Sequence, residues 1–183
     1  MEDKLIELNN LVMSCKKCRL GVKRTNVVFG EGNPNSKIMF IGEGPGEEED
    51  RTGRPFVGKA GQLLTKMIEA INLKREDVYI ANIVKCRPPN NRVPFDDEAD
   101  ICINYLRKQV AIIKPKIIVC LGATAARHII DKNIRITKDR GNWVKKGDFL
   151  IMPTYHPSAL LRDPSKKKEA WEDFKKIRDV KLI

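Results

Sequence analysis

Ile38-Met39-Phe40-Ile41-Gly42-Glu43-Gly44-Pro45-Gly46-Glu47-Glu48-Glu49-Asp50 reads as a buried strand that stops abruptly in glycine and carboxylates. It leads into Gly53-Arg54-Pro55-Phe56-Val57-Gly58-Lys59-Ala60-Gly61. The spacing predicts a flexible, acidic loop at the carboxyl end of a strand. In an open α/β sheet that end is where ligands bind. Three further apolar runs, Val78–Val84, Ile117–Leu121 and Phe149–Thr154, join Lys37–Ile41 as expected strands. Helical patterns surround them over Leu5–Met13, Gly58–Ile71, Phe95–Ile113, Gly122–Ile130 and Ser165–Ile177. Strands alternating with helices imply an α/β fold with a mainly parallel, four-stranded sheet covered on both faces. Arg87–Pro94 reads as a proline-rich loop and Asn133–Asp148 as a loop or hairpin. No repeat or linker divides residues 1–183, so a single domain is expected.

The chain has 183 residues, a net charge of +11 and a pI of about 9.5. A small, strongly basic domain suits a polyanion, because each phosphate it neutralises releases counterions. A lysine-rich thermophilic surface is the competing explanation. No apolar run is long enough to span a membrane, and Met1-Glu2-Asp3-Lys4 lacks the pattern of a secretory signal. A cytoplasmic protein in contact with the nucleoid is expected. In that reducing setting, five cysteines argue for metal or redox use rather than disulfides.

Four of those cysteines form a pattern. Cys15 and Cys18 are a C-x2-C pair among Lys16, Lys17 and Arg19, while Cys86 follows the second strand and Cys102 lies in the next helix. Four thiolates suit zinc or an iron–sulfur cluster, and the wide spacing of the second pair favours the cluster. Cys120 lies within Ile117–Leu121 and reads as a core residue.

His156 ends the fourth strand, before Pro157 and Ser158, where a catalytic imidazole would be placed. A structural, backbone-bonded histidine is the plainer alternative, and for His128 that alternative is the better one. Asn82 interrupts the apolar strand Ile80-Ala81-Asn82-Ile83-Val84, where an amide is out of place unless it is needed. It offers a donor and an acceptor, the pattern that reads a base edge, though a core amide satisfied by backbone fits equally well. Phe56 reads as a stacking surface or a loop anchor. Lys85, Arg87, Arg92 and Arg162 are candidate phosphate contacts.

Together these residues resemble the family 4 uracil-DNA glycosylases. Gly42–Asp50 with Gly53–Gly58 and Ala60–Leu64 is similar to that family's first motif, and His156-Pro157-Ser158-Ala159-Leu160-Leu161-Arg162 to its second. Cys15, Cys18, Cys86 and Cys102 resemble its ligands to a [4Fe-4S] cluster. The match covers nearly the whole chain in the family's order. It implies a three-layer α/β/α sandwich and hydrolysis of the bond between uracil and deoxyribose in single- and double-stranded DNA. By resemblance, Gly42, Glu43, Gly44, Phe56, Asn82 and His156 bind the flipped uracil. His156 stabilises charge on a uracil oxygen, and Glu43, with Glu49 as second candidate, positions water or steadies the sugar cation. Leu160 fills the space the base leaves, while Ser158 and Arg162 grip phosphates. Gly44 stands where relatives carry Ala. The loop Ile134–Gly141 lacks the histidine with which a related group traps its DNA, so turnover is expected. A monomer is expected, and no terminal sliding-clamp peptide is evident. The main rival is a non-enzymatic, metal-stabilised nucleic-acid-binding protein, which leaves the acidic loop and His156 unexplained.

Overall fold

The four apolar runs form the parallel centre of one sheet in a computed structural model, which describes residues 2–180. The strands are β1 (Glu31–Gly32), β2 (Ile38–Gly42), β3 (Tyr79–Asn82), β4 (Ile117–Leu121), β5 (Val144–Lys146) and β6 (Phe149–Thr154). Their order is β1-β3-β2-β4-β6-β5, with β1 and β5 antiparallel to their neighbours. The sheet therefore has six strands rather than the expected four. Both additions are two- or three-residue edges without an apolar pattern, so nothing in the sequence marked them. β5 makes Asn133–Asp148 a hairpin partner of β6.

The helices are α1 (Glu2–Met13), α2 (Leu20–Lys23), α3 (Glu47–Thr52), α4 (Lys59–Ala70), α5 (Asp96–Ile113), α6 (Ala123–Ile129), α7 (Ile136–Asp139), α8 (Pro157–Arg162) and α9 (Lys167–Asp179). Alternate strand residues divide between two cores, as the two-residue period of a strand requires. Met39, Ile41, Ala81, Ile118 and Cys120 pack with Leu8, Ala99, Ile103 and Leu106 of α1 and α5. Phe40, Ile80, Val119 and Met152 pack with Leu64, Ile68, Phe174 and Ile177 of α4 and α9 on the opposite face. The result is the expected α/β arrangement with helices on both sides of the sheet.

The acidic stretch is not the expected flexible loop. Its carboxylates start helix α3, where the exposed amides and the helix dipole favour negative charge. Gly53, at φ 75°, closes that helix. α5 begins in the same way with Asp96, Asp97 and Glu98. The buried Glu98 carboxylate accepts the Phe95 amide at 2.8 Å and pairs with Arg92 at 2.8 and 2.9 Å. That pairing ties the Arg87–Pro94 loop to the helix.

Candidate active site

The chain runs from β2 outward to β3 and then returns to the other side of β2 to form β4. The carboxyl ends of β2 and β4 therefore flank the point where the winding reverses, the crevice in which such sheets bind ligands. Glu43 leaves β2 there. Its main chain continues the pairing with the β3 side, its carbonyl accepting from the Val84 amide at 3.2 Å. Its Oε2 accepts the hydroxyl of Thr124, in the first turn of α6, at 2.5 Å. One carboxylate oxygen is thus held from across the crevice. Thr124 was not anticipated from sequence; its only signal was a hydroxyl just past the end of an apolar strand.

Asn82 sits opposite Gly42 in the β2–β3 register. It is 1% exposed, and its Oδ1 is a buried acceptor without a partner. Leaving such an acceptor unmatched costs about 1–3 kcal/mol, so it points to a ligand that donates there. Gly42 has no room for a side chain: a Cβ would stand 2.5 Å from the Phe56 ring and 2.6 Å from Asn82 Oδ1. The bare backbone of Gly42 thus lets an aromatic face and an amide meet at one spot. The Phe56 ring lies 5.5 Å from the His156 ring, tilted by 31°.

His156 caps α8. Its Nδ1 accepts the Ser158 amide at 3.0 Å and lies 2.7 Å from the Ser158 hydroxyl. A backbone N–H can only donate, so Nδ1 carries the lone pair and the ring proton resides on Nε2. Burial, helped by the Arg162 charge and opposed by Glu49, lowers the imidazole from its ordinary value of 6.5 to about 4. The site therefore presents a neutral imidazole with a single N–H donor.

The structure brings Gly42, Glu43, Phe56, Asn82 and His156 together, with Gly44 next to Glu43 and packed toward Val84. Glu49 has a different setting from the one expected of a water-positioning group. Its Oε1 accepts the Val57 and Gly58 amides at 2.9 and 2.8 Å, and its Oε2 accepts that of Gly46 at 3.1 Å. Asp50 likewise binds the Thr25 amide, at 2.9 Å. Half of the acidic run is thus spent on fastening backbone.

Of the expected DNA contacts, Ser158 holds His156, and Arg162 is exposed beside it. Leu160 contradicts its expected role: it is 1% exposed, packed with Tyr155 and Ala170, and cannot reach into a duplex from there. The next residue, Leu161, is 44% exposed. In the short helix that follows His156, the apolar pair splits, one side chain to the core and one to solvent.

Cys15, Cys18, Cys86 and Cys102 line one pocket with Arg24, Lys85 and Tyr105. Arg24 donates to Cys86 Sγ at 3.3 Å, and the Lys85 amide donates to Cys102 Sγ at 3.3 Å. Among the described residues, no three His, Cys, Asp or Glu side chains are grouped as one ion would need them. Four cysteines around one pocket give an all-thiol donor set of the kind that holds a metal centre. Cys120 is buried in the core.

An aromatic ring, a buried unmatched amide and a neutral imidazole gathered at the winding reversal of the sheet give the architecture of a ligand-binding α/β enzyme. Residues 29–175 match the family model described as "Uracil DNA glycosylase superfamily". The chain is 51% identical to a type-4 uracil-DNA glycosylase of Sulfurisphaera tokodaii, over 98% of this chain and 86% of the relative. It is 50% identical to a type-4 enzyme of Thermotoga maritima, over 96% of this chain and 94% of the relative. It is 45% identical to one of Archaeoglobus fulgidus, over 92% and 89%. The chain belongs to the type-4 uracil-DNA glycosylases of this superfamily.

Proposed function

We propose that the protein hydrolyses the N-glycosidic bond of deoxyuridine in DNA, releasing uracil and leaving an abasic site for base-excision repair. The observation that carries this reading is the buried, unmatched Asn82 Oδ1 beside the Phe56 ring. Uracil offers it an N3–H, and the amide N–H answers the neighbouring carbonyl. Cytosine presents the reverse pattern, which would leave buried groups unpaired. A site that hydrogen-bonds its substrate rejects such analogues strongly. A base inside a duplex cannot reach this crevice, so the nucleotide is flipped out.

As the bond breaks, negative charge grows on the uracil ring. The neutral His156 donates its Nε2 proton toward the O2 oxygen, an arrangement aimed at charge that develops in the transition state. The sugar becomes oxocarbenium-like and favours a nearby carboxylate. Glu43, held on one oxygen by Thr124, directs water or steadies this cation through the other. Leu161 fills the space the base leaves. Arg162 meets the strand's phosphates, joined by Arg127, Lys132 and Arg135 of a groove that Asp96 and Asp100 also line.

Cys15, Cys18, Cys86 and Cys102 would hold a [4Fe-4S] cluster. When bound, it ties the segment after α1 to the end of β3 and to α5, a structural role. Arg24 and the Lys85 amide support the sulfurs by hydrogen bonding.

The test uses a labelled oligonucleotide with one uracil, treated with alkali after incubation. Strand cleavage is expected from the wild-type protein. Glu43→Gln is expected to slow single turnover by about 10²-fold or more. Absence of wild-type cleavage would sink the reading; full activity in Glu43→Gln would remove that residue's role.

A further inference from the structure

Phe56 holds its ring in the base slot with a backbone that resists it. Its φ is 50°, the left-handed region that bulky side chains rarely enter. Such a conformation persists only where the surroundings over-determine it. On one side lies Gly61 of α4, where a Cβ would stand 1.9 Å from the Phe56 carbonyl carbon. The turn is therefore seated directly on the helix. After the turn, Glu49 gathers the Val57 and Gly58 amides.

The third support comes from a distance. Arg75, in the single turn Arg75–Asp77 before β3, donates Nη1 to the Phe56 carbonyl at 2.9 Å and Nη2 to the Pro55 carbonyl. The same guanidinium donates from Nε and Nη2 to Glu31 Oε1 at 3.0 and 2.8 Å. Glu31 stands on the edge strand β1 and also receives Arg54. Both carbonyls flanking the aromatic are thus gripped by one planar fork, itself aimed by a carboxylate. Arg75 shares no hydrogen bond with Glu43, Asn82 or His156; its hydrogen bonds end on the turn, on Thr65 and on Glu31.

We propose that Arg75, oriented by Glu31, is a positioning residue for uracil recognition: it holds the strained Pro55–Phe56 turn so that the ring lies ready against the base. This rests on the functional reading above. A lysine in its place has a point charge, not a fork, and cannot serve both carbonyls and Glu31 together.

The experiment compares wild type, Arg75→Lys, Arg75→Met and Glu31→Gln. Inhibition by free uracil, the single-turnover rate at saturating DNA, the half-saturating concentration and the thermal midpoint are measured for each. Affinity for an oligonucleotide carrying an abasic site is a further control. Free uracil is expected to bind roughly two- to tenfold more weakly in Arg75→Met, the scale of a lost aromatic stacking contact. Arg75→Lys and Glu31→Gln should lie between it and wild type, with abasic-site affinity unchanged in all. A lower thermal midpoint with unaltered uracil inhibition and half-saturation would overturn the proposal and leave Arg75 a plain structural tie. A wild-type protein that released no uracil would sink the functional reading, and this inference with it. An active wild type whose variants match it in uracil inhibition sinks the inference alone.

Discussion

His156 shows how much one side chain's surroundings set its chemistry. Burial and the Arg162 charge hold it neutral, and the Ser158 amide assigns its proton to Nε2. Between about pH 4 and 6.5 the unfolded chain takes up a proton that the native imidazole refuses. This histidine therefore makes native stability rise with pH across that window and leaves it flat above. The expected nitrogen NMR spectrum of His156 is that of a neutral ring protonated on Nε2 down to about pH 5, well below an ordinary histidine. Single-turnover rates should lack a histidine step near 6.5. A step there that disappears in His156→Asn would show that the ring is charged in the working enzyme. Asn82 was legible in the sequence because an amide is the wrong kind of residue for an apolar strand, and His156 because it stands just past a strand's carboxyl end before Pro157 and Ser158. Thr124 and Arg75 were not, because their partners lie 81 and 19 residues away.

Among the elements, α8 carries a sharper lesson. Its sequence offers two adjacent leucines and no means of choosing between them. Helical geometry does choose: neighbours point about 100° apart, so only one can face the core. Leu160 is the packed one, and Leu161 stands out to solvent. Leu161→Ala is expected to lower excision from duplex DNA several-fold more than from single strands, with little change in thermal midpoint. Leu160→Ala should cost about 2–5 kcal/mol of stability and reduce activity on both substrates alike. Equal losses on both substrates in Leu161→Ala would remove the wedge role. The acidic stretch teaches the same lesson. Its charges were visible, but that Glu49 and Asp50 would bind distant amides depended on where Thr25 and Val57 came to lie.

At the scale of the whole molecule, the cysteine pocket joins the segment after α1, the end of β3 and α5. Purified anaerobically, the protein is expected to be brown and to carry about four irons per chain. Cys102→Ala should lose iron and colour and unfold at a lower temperature. A colourless wild type carrying one zinc would replace the cluster with a single ion. The basic charge acts at this scale too, as a field that draws DNA in and weakens with salt.

The four central strands, the longer helices around them, the parallel core and the nucleic-acid partner were legible in the sequence itself. Apolar periodicity and net charge are local or additive properties, and a chain displays them without folding. Only the tertiary structure decided that Gly42, Phe56, Asn82 and His156 converge, that Glu43 meets Thr124, and which leucine is buried. Those facts depend on distances between segments far apart in the chain. Such distances exist only once the sheet has wound outward from β2 to β3 and returned to form β4.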